Sequence, residues 1–135
     1  MKSGLYHVQV NIQPQNLPFY RDLMAFLGWS ALYYGDGILG VAGSNNASLW
    51  FITETKAVTN DYDGPGTNHL GIGVESQADV DTVVGYLKEN GVACLFETPR
   101  HRPEFNSGEG QTYYQVMFAS PDNLLFEVVY TGPKQ

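Results

Sequence analysis

The residues best suited to chemistry are two histidines that open two similar stretches and one glutamate in an apolar closing segment. His7 lies in Leu5-Tyr6-His7-Val8-Gln9-Val10-Asn11-Ile12, and His69 in Thr67-Asn68-His69-Leu70-Gly71-Ile72-Gly73-Val74-Glu75. In both, Val, Leu and Ile take every second place, the period of a strand whose side chains alternate between faces. Tyr6, Val8, Val10 and Ile12 form the apolar face of the first stretch, and Leu70, Ile72 and Val74 that of the second. The opposite faces read His7, Gln9, Asn11 and His69, Gly71, Gly73, Glu75, which are poor core but a serviceable wall for a wet pocket. Glu127 sits inside Leu124-Leu125-Phe126-Glu127-Val128-Val129-Tyr130. An isolated buried charge is costly, so this carboxylate must be paired, hydrogen-bonded or bound to metal. Two arrangements compete. Glu127 can pair with Arg100, Arg102 or Lys88 while the histidines are structural, or it can join His7 and His69 around a divalent cation. Two imidazoles and one carboxylate with open coordination positions suit non-haem iron, and also manganese, nickel or zinc. The open positions are what would admit a substrate.

The elements that must position these residues repeat. After the first strand, Gln15-Asn16-Leu17-Pro18 starts a helix, with Asn16 or a neighbour as cap and Pro18 in the first turn. Phe19, Tyr20, Leu23, Met24 and Phe26 recur at helical spacing until Gly28 stops them. Strands follow at Trp29–Tyr34, Ile38–Ala42 and Ala47–Thr53, the first two joined by a tight turn at Gly35-Asp36-Gly37. A polar linker, 55–66, ends in Gly64-Pro65-Gly66. The order then recurs: strand 67–75, a helix from a Ser76 or Asp79 cap to Asn90-Gly91, and strands at Val92–Glu97, Gln111–Ala119 and Leu124–Tyr130. Thr98 to Gly110 reads as a loop without counterpart in the first half. The repeat, of roughly 60 residues, predicts an α+β protein of two βαβββ modules, 4–54 and 67–131, in a single domain spanning 1–135. One helix per module covers one sheet face. Joining the modules into a curved mixed sheet would turn the histidine faces toward a common metal and substrate cavity.

Composition removes several classes of function. A net charge of −7 over 135 residues argues against nucleic acid or an anionic membrane as partner. No apolar run approaches the ~18 residues of a spanning helix. Met1-Lys2-Ser3 runs into the first strand with no signal-peptide core, and together these features lead us to expect a soluble, cytoplasmic protein. Cys94, the single cysteine, cannot form an internal disulfide; in Val92-Ala93-Cys94-Leu95-Phe96 a buried, inert thiol is expected.

At this point the chain resembles the vicinal oxygen chelate superfamily, which includes glyoxalase I, bleomycin-resistance proteins and extradiol dioxygenases. The resemblance covers nearly the whole chain. It rests on the two strand–helix–three-strand halves, on His7 and His69 in their strands, and on the ending Ser120-Pro121-Asp122-Asn123-Leu124-Leu125-Phe126-Glu127. It implies a divalent metal (Fe, Mn, Ni or Zn) held by His7, His69 and Glu127, with Glu127 also available as a catalytic proton relay. It further implies a small oxygen-chelating substrate and isomerase, lyase or dioxygenase chemistry. Small relatives commonly pair their modules across a dimer, which implies a homodimer. The chain departs from glyoxalase I, which places a fourth ligand in the last strand of the first half. Here that stretch reads Leu49-Trp50-Phe51-Ile52, which argues against lactoylglutathione lyase chemistry.

Further residues could contact a substrate: Asn11 on the polar face of the first strand, Arg100 and Arg102 in an otherwise acidic protein, and Trp50 and Tyr113 as flat stacking surfaces. The reading that competes with an enzyme is a non-catalytic binding protein of the bleomycin-resistance kind, sequestering a small molecule. A third is a degenerate member whose histidines serve stability.

Overall fold

The computed structural model describes all residues, Met1–Gln135. The chain divides into two compact units, Met1–Thr59 and Asn60–Gln135, each with the expected βαβββ order. Ladder hydrogen bonds join strands only within a unit, so the mixed sheet expected from the repeat is two four-stranded sheets, one per module.

Unit 1 contains β1 (His7–Asn11), a 3₁₀ turn at Pro14–Asn16, α1 (Leu17–Phe26), β2 (Ser30–Gly35), β3 (Ile38–Ala42) and β4 (Ser48–Ile52). Its strand order is β1-β4-β3-β2, with β1 parallel to β4 and the other pairs antiparallel. A parallel pair needs a long crossover, which α1 and the β2–β3 hairpin supply. The hairpin turn is a two-residue loop, and Asp36 (φ 53°) and Gly37 (φ 74°) both take the left-handed conformation such turns require. Tyr20, Leu23 and Met24 of α1 are buried with Val10, Ile12, Leu39, Val41, Leu49 and Phe51, and Tyr20 stacks on Phe51 at 4.6 Å. Two expectations fail here. Tyr6 is 78% exposed rather than core, because the strand starts only at His7. Asn16 makes no side-chain cap; it is the last residue of the 3₁₀ turn, and its backbone is already helical.

Unit 2 contains β5 (His69–Gly73), α2 (Gln77–Glu89), β6 (Leu95–His101), a 3₁₀ turn at Pro103–Phe105, β7 (Gln111–Ala119) and β8 (Leu125–Pro133), in strand order β5-β8-β7-β6. Ser76 caps α2, accepting from the Asp79 amide at 3.1 Å and donating to its carboxylate at 2.7 Å. Val80, Val83 and Leu87 of α2 are buried with Val116, Phe118, Phe126 and Val128. Cys94 is half-buried rather than fully buried, and that burial pushes its thiol pKa up.

The largest departure from the sequence reading lies in β6, which begins and ends later than expected and takes in residues assigned to a loop. Phe96 (φ 56°) and Glu97 (φ 58°) adopt left-handed backbone, and the β6–β7 register slips between Leu95 and Arg100. Thr98 makes the slip tolerable. Its buried hydroxyl donates to the Leu95 carbonyl at 2.7 Å and accepts from the Met117 amide at 2.9 Å, replacing ladder bonds that the bulge removes. The strand then resumes, with Arg100 opposite Gln115 and His101 opposite Tyr114. Thr98→Val keeps the shape and leaves the Met117 N–H without a partner. Urea unfolding should show a loss of about 1–3 kcal/mol, whereas a change within a few tenths would mean that the hydroxyl does not hold the bulge.

Candidate metal and ligand site

β5 runs parallel to β8 with Gly71 opposite Glu127, so His69, two residues before Gly71, shares the carboxylate's face. Gly71 keeps that face open: a Cβ there would stand 3.4 Å from Glu127 Oε2. Glu127 is only 4% exposed, yet both of its oxygens have partners. Oε1 accepts from the Tyr113 hydroxyl at 2.7 Å, and Oε2 faces His69 Nε2 at 3.2 Å. Burial, then the bond to Glu127, pushes the Tyr113 hydroxyl well above the usual tyrosine range, so it remains a donor.

The orientation of His69 can be read from its neighbours. Asn68 donates its amide N–H to the Tyr62 carbonyl at 2.9 Å, which turns Asn68 Oδ1 toward His69 Nδ1 at 2.7 Å. An amide oxygen only accepts, so Nδ1 carries the hydrogen and Nε2 presents its other valence to Glu127. A lone pair facing a carboxylate needs a cation between them, either a proton or a metal ion. Two ligands each ~2.1 Å from one divalent ion lie about 3 Å apart when at right angles. The 3.2 Å separation therefore fits a shared ion, and the outer partners Asn68 and Tyr113 are of the kind that orient metal ligands.

The pair opens on a cavity of about 550 Å³ lined by aromatic and apolar side chains, among them Tyr62, Phe96, Phe105, Met117 and Leu125, together with Arg102 and Tyr113. Of the sequence-selected residues, His69, Glu127, Tyr113 and Arg102 thus come together in unit 2. Arg100 is not among those lining the cavity; it pairs with Glu97 at 3.4 Å. Arg102 pairs with Glu104 at 2.6 Å and lies 4.8 Å over the Phe105 ring. Glu127 is therefore not paired with Arg100 or Arg102. Tyr113 lines the cavity and also donates to Glu127, whereas Tyr114 donates to Asp81 at 2.7 Å.

His7 lies in unit 1, exposed, in a second cavity of about 350 Å³ lined by Tyr6, His7, Gln9, Leu32, Ser48, Trp50 and Ile52. Asn11 is exposed, accepts from Gln9 at 3.0 Å and does not line this cavity. In the module register Trp50 opposes Gln9 as Glu127 opposes Gly71, so Trp50 holds the place that Glu127 holds in unit 2. No group of three or more His, Cys, Asp or Glu side chains is placed to hold a metal ion, and the donor pair of unit 2 stands as two.

Sequence reasoning missed Tyr62, Asn68, Phe96 and Phe105. Tyr62 sat in the presumed linker; reciprocal bonds between Asn60 and Asn123 (3.1 and 2.8 Å) attach that segment to the β7–β8 turn. Asn68, adjoining His69, was the one legible signal.

No family model and no curated protein sequence matches the chain. Solved structures do. A protein assigned as a glyoxalase from Bacillus halodurans is 24% identical, with a TM-score of 0.74, covering 93% of this chain and 94% of that one. A glyoxalase/dioxygenase from Nostoc punctiforme is 17% identical, with a TM-score of 0.71 over 96% and 91%. The fosfomycin resistance protein FosX from Listeria monocytogenes, complexed with Mn(II) and sulfate, is 20% identical, with a TM-score of 0.69 over 98% and 93%. The chain has the vicinal oxygen chelate fold.

Tyr113→Phe and Asn68→Ala each remove one outer partner while leaving both donors in place. Either change should weaken divalent-metal binding roughly 10- to 100-fold in chelator competition, and unaltered affinity in both would show that these bonds do not organise the pair.

Proposed function

We propose that this protein binds a divalent metal through His7, His69 and Glu127 and acts on a small substrate that offers two neighbouring oxygens. The observation that carries the reading is the His69 Nε2–Glu127 Oε2 pair at 3.2 Å, with its tautomer set by Asn68 and its carboxylate held by Tyr113. The Mn(II) complex of FosX, a neighbour in fold, supports a metal at such a site. When bound, a divalent ion supplies Lewis acidity, lowering the cost of negative charge on a substrate oxygen. The chain's own residues do the rest. Asn68 keeps Nε2 directed at the site, Tyr113 occupies one carboxylate oxygen and leaves the other facing His69 Nε2, and the aromatic walls limit water.

His7 comes from the other module, and we place the complete ligand set in a homodimer. The support is an edge strand, β2, whose Tyr33 and Tyr34 are 44% and 53% exposed, a surface that a second copy could cover. Elemental analysis of tag-free protein should give near-stoichiometric metal, lost in His7→Ala and in Glu127→Ala. If two copies share each site, mixing these two variants under subunit exchange should restore part of the metal binding. Restoration would fail if each site were built from one chain. No metal after reconstitution with iron, manganese, nickel and zinc would sink the enzyme reading and leave the binding protein.

A further inference from the structure

The place that corresponds to Glu127 in unit 1 carries no donor, and what it does carry is built. Trp50 lies across the sheet from Gly40 in the antiparallel β3–β4 ladder. Its six-membered ring covers that glycine so closely that a Cβ on Gly40 would fall 2.6 Å from the ring. Its indole N–H donates to Ser48 Oγ at 3.1 Å, which fixes the ring's rotation, and Ser48 itself is buried. Trp50 still lines the cavity that holds His7. A bulge interrupts β2 between Ala31 and Tyr33, where β3 steps from Val41 to Gly40, and the residue left over is Leu32. Leu32 lines the same cavity and is 54% exposed. At about 350 Å³ the cavity is at the small end for ligand sites, enough for one ring and its substituents.

We infer that Trp50 is a stacking platform for a flat, π-conjugated ligand, seated between the indole and the bulged Leu32 with its edge toward His7. The inference rests on the reading that His7 belongs to the ligand site, and narrows the substrate to planar, unsaturated or aromatic compounds. Gly40 and Ser48 hold the indole in place, so the platform is pre-organised and little ordering cost falls on binding. An aliphatic compound with the same oxygens would lose the stacking contact.

The test uses catechol and cis-1,2-cyclohexanediol, two vicinal diols of similar size of which only the first has a π face. With Trp29→Phe as background, emission reports Trp50 alone, since the chain has two tryptophans. Catechol should quench that emission saturably, and the cyclohexanediol should not. By calorimetry on chain retaining Trp29, Trp50→Leu should weaken catechol roughly three- to tenfold and change the aliphatic diol less than about twofold on the same scale. Gly40→Ala, which displaces the ring without removing it, should follow Trp50→Leu. Absence of saturable quenching would overturn the inference. So would a Trp50→Leu variant that loses thermal stability yet binds both diols as before, because the ring would then serve only to cover Gly40. Metal content measured on the same samples separates the two readings. Ring-selective binding without metal sinks the metal site and keeps the platform, and metal without ring selectivity does the reverse.

Discussion

The carboxylate of Glu127 is the group to which the rest of unit 2 must answer. It is buried in the middle of an apolar strand, where an unpaired charge would cost several kcal/mol even after local relaxation. Three separate parts of the chain compensate it. β7 brings Tyr113 to one oxygen, β5 brings His69 to the other, and the segment after Asn60 brings the Tyr62 carbonyl that aligns Asn68 and through it His69. Gly71 belongs to the same set by omission, since its missing side chain leaves the carboxylate open to the cavity. Unit 2 thus spends its central strand pair on holding one charge in one direction, which makes sense for a ligand site and little sense for packing alone.

Much of this was legible in the sequence because strand alternation exposes it. A period of two over His69-Leu70-Gly71-Ile72-Gly73 shows one apolar and one open face, and a glutamate among Leu125, Phe126, Val128 and Val129 announces a compensated charge. The choice between Tyr113 and Tyr114 was not legible. Adjacent residues of a strand face opposite ways, so one tyrosine reaches Glu127 and the other Asp81 on α2, and the phase is set by the ladder with β8. The course of β6 was hidden for a different reason. Proline, arginine and histidine in Thr98-Pro99-Arg100-His101 read as loop, while the bridge that returns them to the sheet is a single threonine hydroxyl bonded to a residue nineteen positions away. Side-chain bonds of that range leave no periodic trace.

β6 also shows how local irregularity serves the cavity. Phe96 is a bulky residue at positive φ, a conformation that side chains rarely adopt without support from their surroundings. Its ring is 49% exposed and lines the cavity, as does that of Phe105, 56% exposed under the Arg102 guanidinium. A regular strand would have alternated Phe96 with Leu95 and Glu97 according to the pleat. The bulge instead frees it from the ladder, and the Thr98 bridge holds the backbone in that state.

The two modules share topology and register yet have parted in chemistry. His7 pairs with Ser48 as His69 pairs with Leu125, and Gln9 with Trp50 as Gly71 with Glu127. Where unit 2 sets a small residue beside a carboxylate, unit 1 sets Gln9 beside an indole, and the glycine has moved to the neighbouring strand, at Gly40 beneath the ring. A glycine stands next to the side chain that matters in both units, but only under the indole is it obligatory: a Cβ on Gly40 would fall 2.6 Å from the ring, whereas one on Gly71 would make ordinary contact with the carboxylate at 3.4 Å. The shared register supplies two equivalent positions, and the sequence fills one with charge and the other with a π face.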